Sequence, residues 1–316
     1  MRIIFLGTPE FAVPSLEILI QNGFNVVAVV TAPDKPAGRG LQLKSSPVKE
    51  CALKHGIKVL QPTKLKDPDF ITELQNLHAD LQIVVAFRML PEIVWNMPPL
   101  GTWNLHGSLL PNYRGAAPIN HAIINGETIT GLTTFKLSHE IDTGPVALKE
   151  EVIIHENDTA GDLHDKMMQI GATLILKTVK KISENSIQLI PQEQFEMSDI
   201  KAAPKIFPEF CKVSFHDTSA AVHNKIRGLS PFPGAHAKLI SKNSITSLKI
   251  YKSEKATLKL PLGKIGDVHI MNDNNIYVSC SDGFLSLLEL QLAGKKRLPA
   301  REFLAGFRER ENLKLE

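Results

Sequence analysis

Through the first 106 residues, near-continuous apolar runs alternate with helix-length segments. Arg2 to Leu6, Asn25 to Thr31, Lys58 to Leu60 and Leu81 to Phe87 read as buried strands, and Trp103 to His106 as a fifth. Strands that are apolar along their whole length, rather than at alternate positions, belong to a sheet covered on both faces. The intervening segments carry helix punctuation. Pro14 lies early in the first, Ser46-Pro47 and Asp67-Pro68 are caps followed by proline at the first helical position, and Gly23 and Gly56 mark ends. Repeated strand-helix-strand units with right-handed crossovers give an α/β domain with a doubly wound, mostly parallel sheet. Such a sheet binds ligands beyond the carboxyl ends of its strands, so chemistry is sought after Phe87 and around His106. Thr130 to Ser138 and Pro145 to Glu156 then read as added strands, and Thr159 to Lys181 as a long amphipathic helix.

The chain has 316 residues, room for two folded units. From about Asn185 to Pro208 it is polar, contains proline and lacks periodicity, so the expected division is an N-terminal domain over 1–185, a linker over 186–208 and a C-terminal domain over 209–316. In the last part, Ala235 to Ile240, Leu248 to Ser253, Asn275 to Cys280 and Phe284 to Leu292 are short strand-like runs between Gly, Asn and Asp. They suggest a small β-barrel or sandwich, with Thr218 to Arg227 as a helix. The overall charge of +3 hides an asymmetry: residues 1–205 hold 19 basic against 22 acidic side chains, residues 206–316 hold 17 against 11. A polyanion held through phosphate contacts fits that basic half, and a solvated basic surface fits it equally. No apolar run approaches the ~20 residues of a membrane span. Cys51, Cys211 and Cys280 are spaced for neither a disulfide framework nor a zinc site, which points to a cytoplasmic chain without a metal.

Gly7 ends the first strand, but the second and third glycines of a dinucleotide loop are missing, so it reads as a tight strand-to-helix turn. Asn104 and His106 are two apart on a strand and share a face at the ligand-binding edge. The loop that follows, rich in Gly and Pro, carries Arg114 and no acid. Asp142 falls in a tight turn between strand-like runs, from which a carboxylate can reach back to the imidazole; an Asx-turn is the alternative use. From Lys35 to Lys49 a second loop has four basic residues and no acid, with Gly38 and Gly40 flanking Arg39. It reads either as a solvated loop or as an RNA contact.

The motifs Phe5 to Leu16, Asp34 to Gly40, Asn104 to Ile119, Asp142 to Gly144, Leu229 to Ala235 and Gly294 to Arg297, in this order, resemble the folate-dependent formyltransferases over almost the whole chain. The resemblance runs to the branch whose acceptor is methionyl initiator tRNA. It implies a Rossmann-like formyltransferase fold followed by an OB-like tRNA-binding domain, and 10-formyltetrahydrofolate as formyl donor, with no metal. Asn104, His106 and Asp142 fall on the family's catalytic positions. Ser108, Leu109, Leu110 and Pro111 fall on its folate-binding loop, and Arg88, Met89 and Leu90 are assigned to the pterin side. Phe87 to Pro91 is bulkier than the family pattern, and Lys136 and His139 are unusual neighbours for the Asp142 turn. Lys35, Arg39 and Lys44 are implied tRNA contacts in the inserted loop, and Lys295, Lys296 and Arg297 in the basic half. A monomer away from the membrane is expected.

The implied chemistry suits these residue types. Formyl transfer to an amine passes through a tetrahedral intermediate with a negatively charged oxygen, and a proton must move from attacking to leaving nitrogen. Asn104 supplies an amide N–H for the oxyanion, His106 a second donor, and Asp142 orients and favours the imidazolium. Ser108 lacks the setting of a nucleophile and reads as a positioning residue of the loop. The rival readings are a formyltransferase acting on a small amine, such as glycinamide ribonucleotide or a nucleotide amino sugar, a 10-formyltetrahydrofolate hydrolase, and a catalytically silent RNA-binding protein. The basic loop and basic C-terminal half distinguish the tRNA reading from the first two, and the Asn, His and Asp set from the third.

Overall fold

The computed structural model describes residues 1–37, 42–195, 199–242, 244–258, 261–271 and 275–316. Two compact units emerge: one of Met1–Gly115, Thr130–Val152 and His164–Ala202, the other of Ala116–Ile129, Ile153–Leu163 and Ala203–Glu316.

The first unit is organised by a sheet of seven strands in the order Val146–Ile153, Ile129–Lys136, Thr102–His106, Leu81–Val85, Arg2–Gly7, Asn25–Val30, Lys58–Leu60. The last five are parallel, and Ile129–Lys136 runs antiparallel to Thr102–His106. The chain builds outward from Arg2–Gly7 to Lys58–Leu60, then returns to lay Leu81–Val85 on the other side of Arg2–Gly7. That reversal is a topological switch point, where helices leave opposite faces and open a crevice. Burial accounts for the unbroken apolar runs: every residue of Leu81–Val85 is buried, and all of Arg2–Gly7 except Arg2.

The helix signals act through hydrogen bonds. The Ser46 hydroxyl accepts from the Lys49 N–H at 3.1 Å and caps the helix Pro47–Lys54. The Asp67 carboxylate accepts from the Asp69 N–H at 3.0 Å and caps Pro68–Asn76. Gly7 is required by close packing, since a Cβ there would lie 2.8 Å from the Ala12 Cβ and 3.2 Å from the Val85 carbonyl oxygen. The long helix Ala160–Ser183 meets the sheet through Gly171, which sits against Leu105, and through a 2.8 Å contact between the buried hydroxyls of Thr178 and Thr134. Leu105 alternates with Asn104 and His106, so the helix presses on one face of this strand while the polar pair occupies the other.

The second unit is a nearly closed antiparallel β-barrel. Its strands run in the order Val268–Ile270, Ile276–Ser279, Phe284–Leu292, Ile245–Ala256, Ala235–Ile240, Lys314–Leu315, with Leu298–Pro299 added to Phe284–Leu292. A bridge between Asp267 and Lys314 brings the two ends together. Register shifts between Ile250 and Ser253 bend the longest strand, which closure requires. Ile250, Val278, Leu285, Leu287, Leu290 and Phe303 fill the interior. The helix Ser219–Gly228 is capped by Thr218, whose hydroxyl accepts from the Ala221 N–H at 3.2 Å. Its buried Arg227 donates to the His155 and Asp158 carbonyls at 3.4 and 3.1 Å, which draws an earlier segment of the chain into this unit.

Candidate active site

The strand Thr102–His106 lies one position from the switch point, and its polar pair is therefore delivered to the crevice edge by sheet register. Asn104 is half-buried between Val84 and Phe135 on the flanking strands. His106 is 6% exposed. Nε2 is 2.8 Å from the Tyr113 carbonyl, which can only accept, so Nε2 carries the hydrogen. Nδ1 faces the Asp142 carboxylate at 3.9 Å, too far for a direct hydrogen bond. Nδ1 is thus the ring nitrogen that faces the carboxylate side of the site. Asp142 sits in the left-handed region with φ 56°, and its Oδ2 accepts from the Gly115 N–H at 3.0 Å. A non-glycine residue held there carries backbone strain, and such residues cluster where a site over-determines its backbone.

The loop after His106 is anchored by its own polar groups. The Ser108 hydroxyl donates to the Asn112 carbonyl at 2.6 Å. The Thr133 hydroxyl donates to the Ser108 carbonyl at 2.7 Å and accepts from the Leu110 N–H at 3.1 Å. Leu110 is fully buried with Phe135 and Val146, Leu109 packs against Gly131, and Pro111 follows a cis peptide bond. The Ser108 hydroxyl is thus engaged within its own loop, holding the backbone at Asn112. On the adjacent strand end Ala86 turns the chain with φ 47°. Arg88 then donates to the Thr63 carbonyl at 2.9 Å and to that of Pro62, Met89 is 74% exposed, and Leu90 packs into the core beside Val94. The side chains of Arg88 and Leu90 are committed to the protein, which leaves backbone groups as this segment's polar offering to a ligand. Thr133 and Gln192 were not anticipated from sequence. Each is a single buried polar residue with no periodic or motif signal.

The basic loop forms a hairpin, Lys35–Ala37 with Gln42–Lys44, which sets Lys35 directly opposite Lys44, both exposed. Arg39 lies outside the described residues. Lys49 is paired with Asp34 at 2.5 Å, and Gln61 donates to the same carboxylate at 2.8 Å; these two hydrogen bonds hold the Asp34 carboxyl below its usual range. In the second unit Lys295 and Lys296 are exposed at a turn. Arg297 lies 4.2 Å over the Tyr251 ring and donates to Glu289 at 2.6 Å, so its guanidinium is held by the barrel.

Among the described residues, one group of potential metal ligands converges: Glu17, Cys51 and His55, with ligand atoms within 4.8 Å of one another. Burial and the Glu17 charge push the Cys51 thiol up to about 11, so it is a protonated S–H facing the carboxylate at 3.9 Å. A thiol of that kind is inert at neutral pH.

The polar strand end, the strained aspartate turn and the barrel define a class, and the comparisons with known proteins agree. Residues 1–179 match the family described as formyl transferase, and residues 205–308 match the formyl transferase C-terminal domain. The chain belongs to the formyl transferase family. A relative from Azobacteroides pseudotrichonymphae named methionyl-tRNA formyltransferase is 51% identical, over 96% of this chain and 95% of its own. One of the same name from Bacteroides fragilis is 49% identical over 100% and 98%. Among solved structures, a sugar 3N-formyl transferase crystallised with dTDP and 5-N-formyl-THF has a TM-score of 0.67 at 24% identity, covering 94% of this chain and 99% of that one. HypX from Aquifex aeolicus in complex with tetrahydrofolic acid has a TM-score of 0.65 at 20% identity and covers 98% and 48%. These two likenesses are of fold.

Proposed function

We propose that the protein transfers the formyl group of 10-formyltetrahydrofolate to the amino group of methionine carried by initiator tRNA, as a soluble enzyme without a metal. Half-identity to relatives of that name over nearly the full length of both chains carries this reading. Folate-bound structural neighbours support the donor. In this reading residues 1–185 form the catalytic domain, 186–208 connect, and 209–316 hold tRNA.

The amine attacks the formyl carbon, and the carbonyl oxygen becomes an oxyanion. Asn104 donates to that oxygen from a strand fixed by sheet register, a preorganised placement. His106, with Nε2 engaged by Tyr113, acts through Nδ1, donating to the oxyanion or to the departing folate nitrogen. Asp142 compensates the imidazolium charge and helps pass the proton released by the amine. The folate is clasped by the backbone of residues 108–111 and 88–90. Lys35, Arg39 and Lys44 reach the acceptor end of the tRNA, while Lys295 and Lys296 contact phosphates. Among the described residues no helix is long and apolar enough to cross a membrane.

The test offers 10-formyltetrahydrofolate with methionyl initiator tRNA, glycinamide ribonucleotide, a nucleotide amino sugar and water alone in parallel. Formylation of the tRNA is the expected outcome. Formyl on a small amine only, or release of formate at the same rate without any acceptor, overturns the assignment.

A further inference from the structure

Gln192 lies in a polar stretch after the long helix, yet its side chain is completely buried. All of its hydrogen-bonding capacity is used. Nε2 donates to the carbonyl oxygens of Asp142 and Gly144, each at 2.8 Å. Oε1 accepts from Arg114 twice, from Nε at 3.1 Å and from Nη2 at 2.6 Å. The segment that carries it is pinned to the neighbouring strand by paired 2.8 Å hydrogen bonds between Ile190 and Val146. One amide therefore joins the two sides of the carboxylate's setting. Its donor end grips the backbone on either side of Thr143, fixing the turn in which Asp142 adopts φ 56°. Its acceptor end grips Arg114, whose chain neighbour Gly115 gives its N–H to Asp142 Oδ2 at 3.0 Å.

We infer that Gln192, with Arg114, is a positioning residue that sets the Asp142 carboxylate against His106. This rests on the functional reading above, because Asp142 matters to the reaction only if that reading holds. Gln192 itself touches no reacting atom; it acts through the turn. The physical reason for an amide is specific. Two carbonyl acceptors and a guanidinium donor must be bridged at once, and glutamine is the side chain that offers two N–H groups and an oxygen on a stem of this length. Glutamate would keep the partner of Arg114 but turn both turn-holding donors into acceptors facing carbonyl oxygens. A displacement of about 1 Å of a catalytic group is enough to cost on the order of 100-fold in rate.

The experiment compares wild type, Gln192→Glu, Gln192→Ala, Asp142→Asn and the two double variants, by single-turnover formyl transfer and by amide hydrogen exchange of Gly115. Each Gln192 variant should lower kcat by on the order of 10- to 100-fold while KM for folate and for tRNA stays within about threefold. In the Asp142→Asn background the same changes should add little, because the group they position has lost its charge. A residue important only for general folding would instead act additively in both backgrounds. Gly115 should exchange faster in Gln192→Ala than in wild type, which reads the carboxylate's placement without any assay of activity. Full additivity, or wild-type kcat and unchanged Gly115 protection in both single variants, overturns the inference. A wild-type chain that formylates no tRNA overturns the functional reading instead, and Gly115 exchange then still decides whether Gln192 holds the carboxylate.

Discussion

Replacing Asp142 by asparagine removes one charge and almost no volume. The asparagine Oδ1 can still accept from the Gly115 N–H, and the backbone bonds from Gln192 do not involve the side chain, so the turn should persist. In the proposed mechanism, what is lost is attraction to the His106 imidazolium of the transition state across 3.9 Å. Two unit charges at that distance interact by about 1 kcal/mol in bulk water and about 4 kcal/mol at an effective dielectric near 20. With side-chain exposures of 7% for His106 and 14% for Asp142, the pair lies nearer the second limit. A loss of about 2 to 4 kcal/mol in the transition state predicts a fall in kcat of roughly 30- to 1000-fold. Single-turnover transfer from 10-formyltetrahydrofolate is the assay, with thermal unfolding as the control for folding. Added salt should leave the ratio of wild-type to variant rate nearly unchanged, since a buried pair is poorly screened. A stably folded Asp142→Asn protein with kcat within about threefold of wild type would falsify the charge argument.

Asn104→Ala should lower kcat on the order of 100- to 1000-fold with tRNA affinity retained, because in the proposed mechanism it removes an oxyanion donor; a variant changed only in KM contradicts that role. Phe135→Ala empties the small core shared with Leu110 and Val146 and should cost about 3 to 5 kcal/mol in urea unfolding. A loss below about 1 kcal/mol would mean that the loop core collapses freely around the gap. Replacing Lys295 and Lys296 with alanine should flatten the dependence of log K for tRNA on log salt, since fewer counterions are released. Arg297→Ala should act mainly on barrel stability, because its guanidinium is spent on Glu289 and Tyr251, and an equal drop in salt slope from both variants would refute the distinction. His223 is lowered from its usual 6.5, first by burial, while Arg227 and Lys255 act in the same direction and the Glu156 carbonyl and charge oppose them. The unfolded chain then binds the proton more readily, so stability is complete above about pH 7 and declines as pH falls through 6.5 and below. Denaturation midpoints at pH 8 and 5.5 should differ less in His223→Gln than in wild type; an unchanged difference removes His223 as the cause.

The sheet was legible because its information is repeated. Arg2–Gly7 and Leu81–Val85 each state their burial at five consecutive positions, and the helices Pro47–Lys54 and Pro68–Asn76 each begin with a side-chain cap and a proline. Residues 268–270 and 314–315 lie at the two ends of the barrel's strand order, and residues 314–315, a strand of two, carry no pattern of their own. Lys295, Lys296 and Arg297 look alike in sequence, but Glu289 and Tyr251 reach only the third, and they come from other strands. The polarity of residues 186–208 reads as a linker. At Gln192 the same polarity is consumed inside the protein, a use that no pattern of neighbours announces.

Asn104 and His106 owe their separation to the pleat of one strand whose register is set on both sides, by Val84 and by Phe135 and Thr133. Moving either relative to the other means breaking the sheet. Asp142 lies outside that ladder, in a turn held by individual hydrogen bonds, among them the Gly115 N–H to its carboxylate, the Gln192 amide to the Asp142 and Gly144 carbonyls, and the Thr143 hydroxyl to the Glu140 carbonyl. Sheet register is insensitive to a single side-chain change, whereas a turn held by a few hydrogen bonds shifts when one is lost. Substitutions around the strand should therefore act on stability until they remove the functional group itself. Those around the turn should act on rate at nearly constant stability, because the turn can relax without unfolding the sheet. In the proposed mechanism the strand that carries Asn104 and His106 is the rigid part of the site, and the turn that carries Asp142 is the adjustable one.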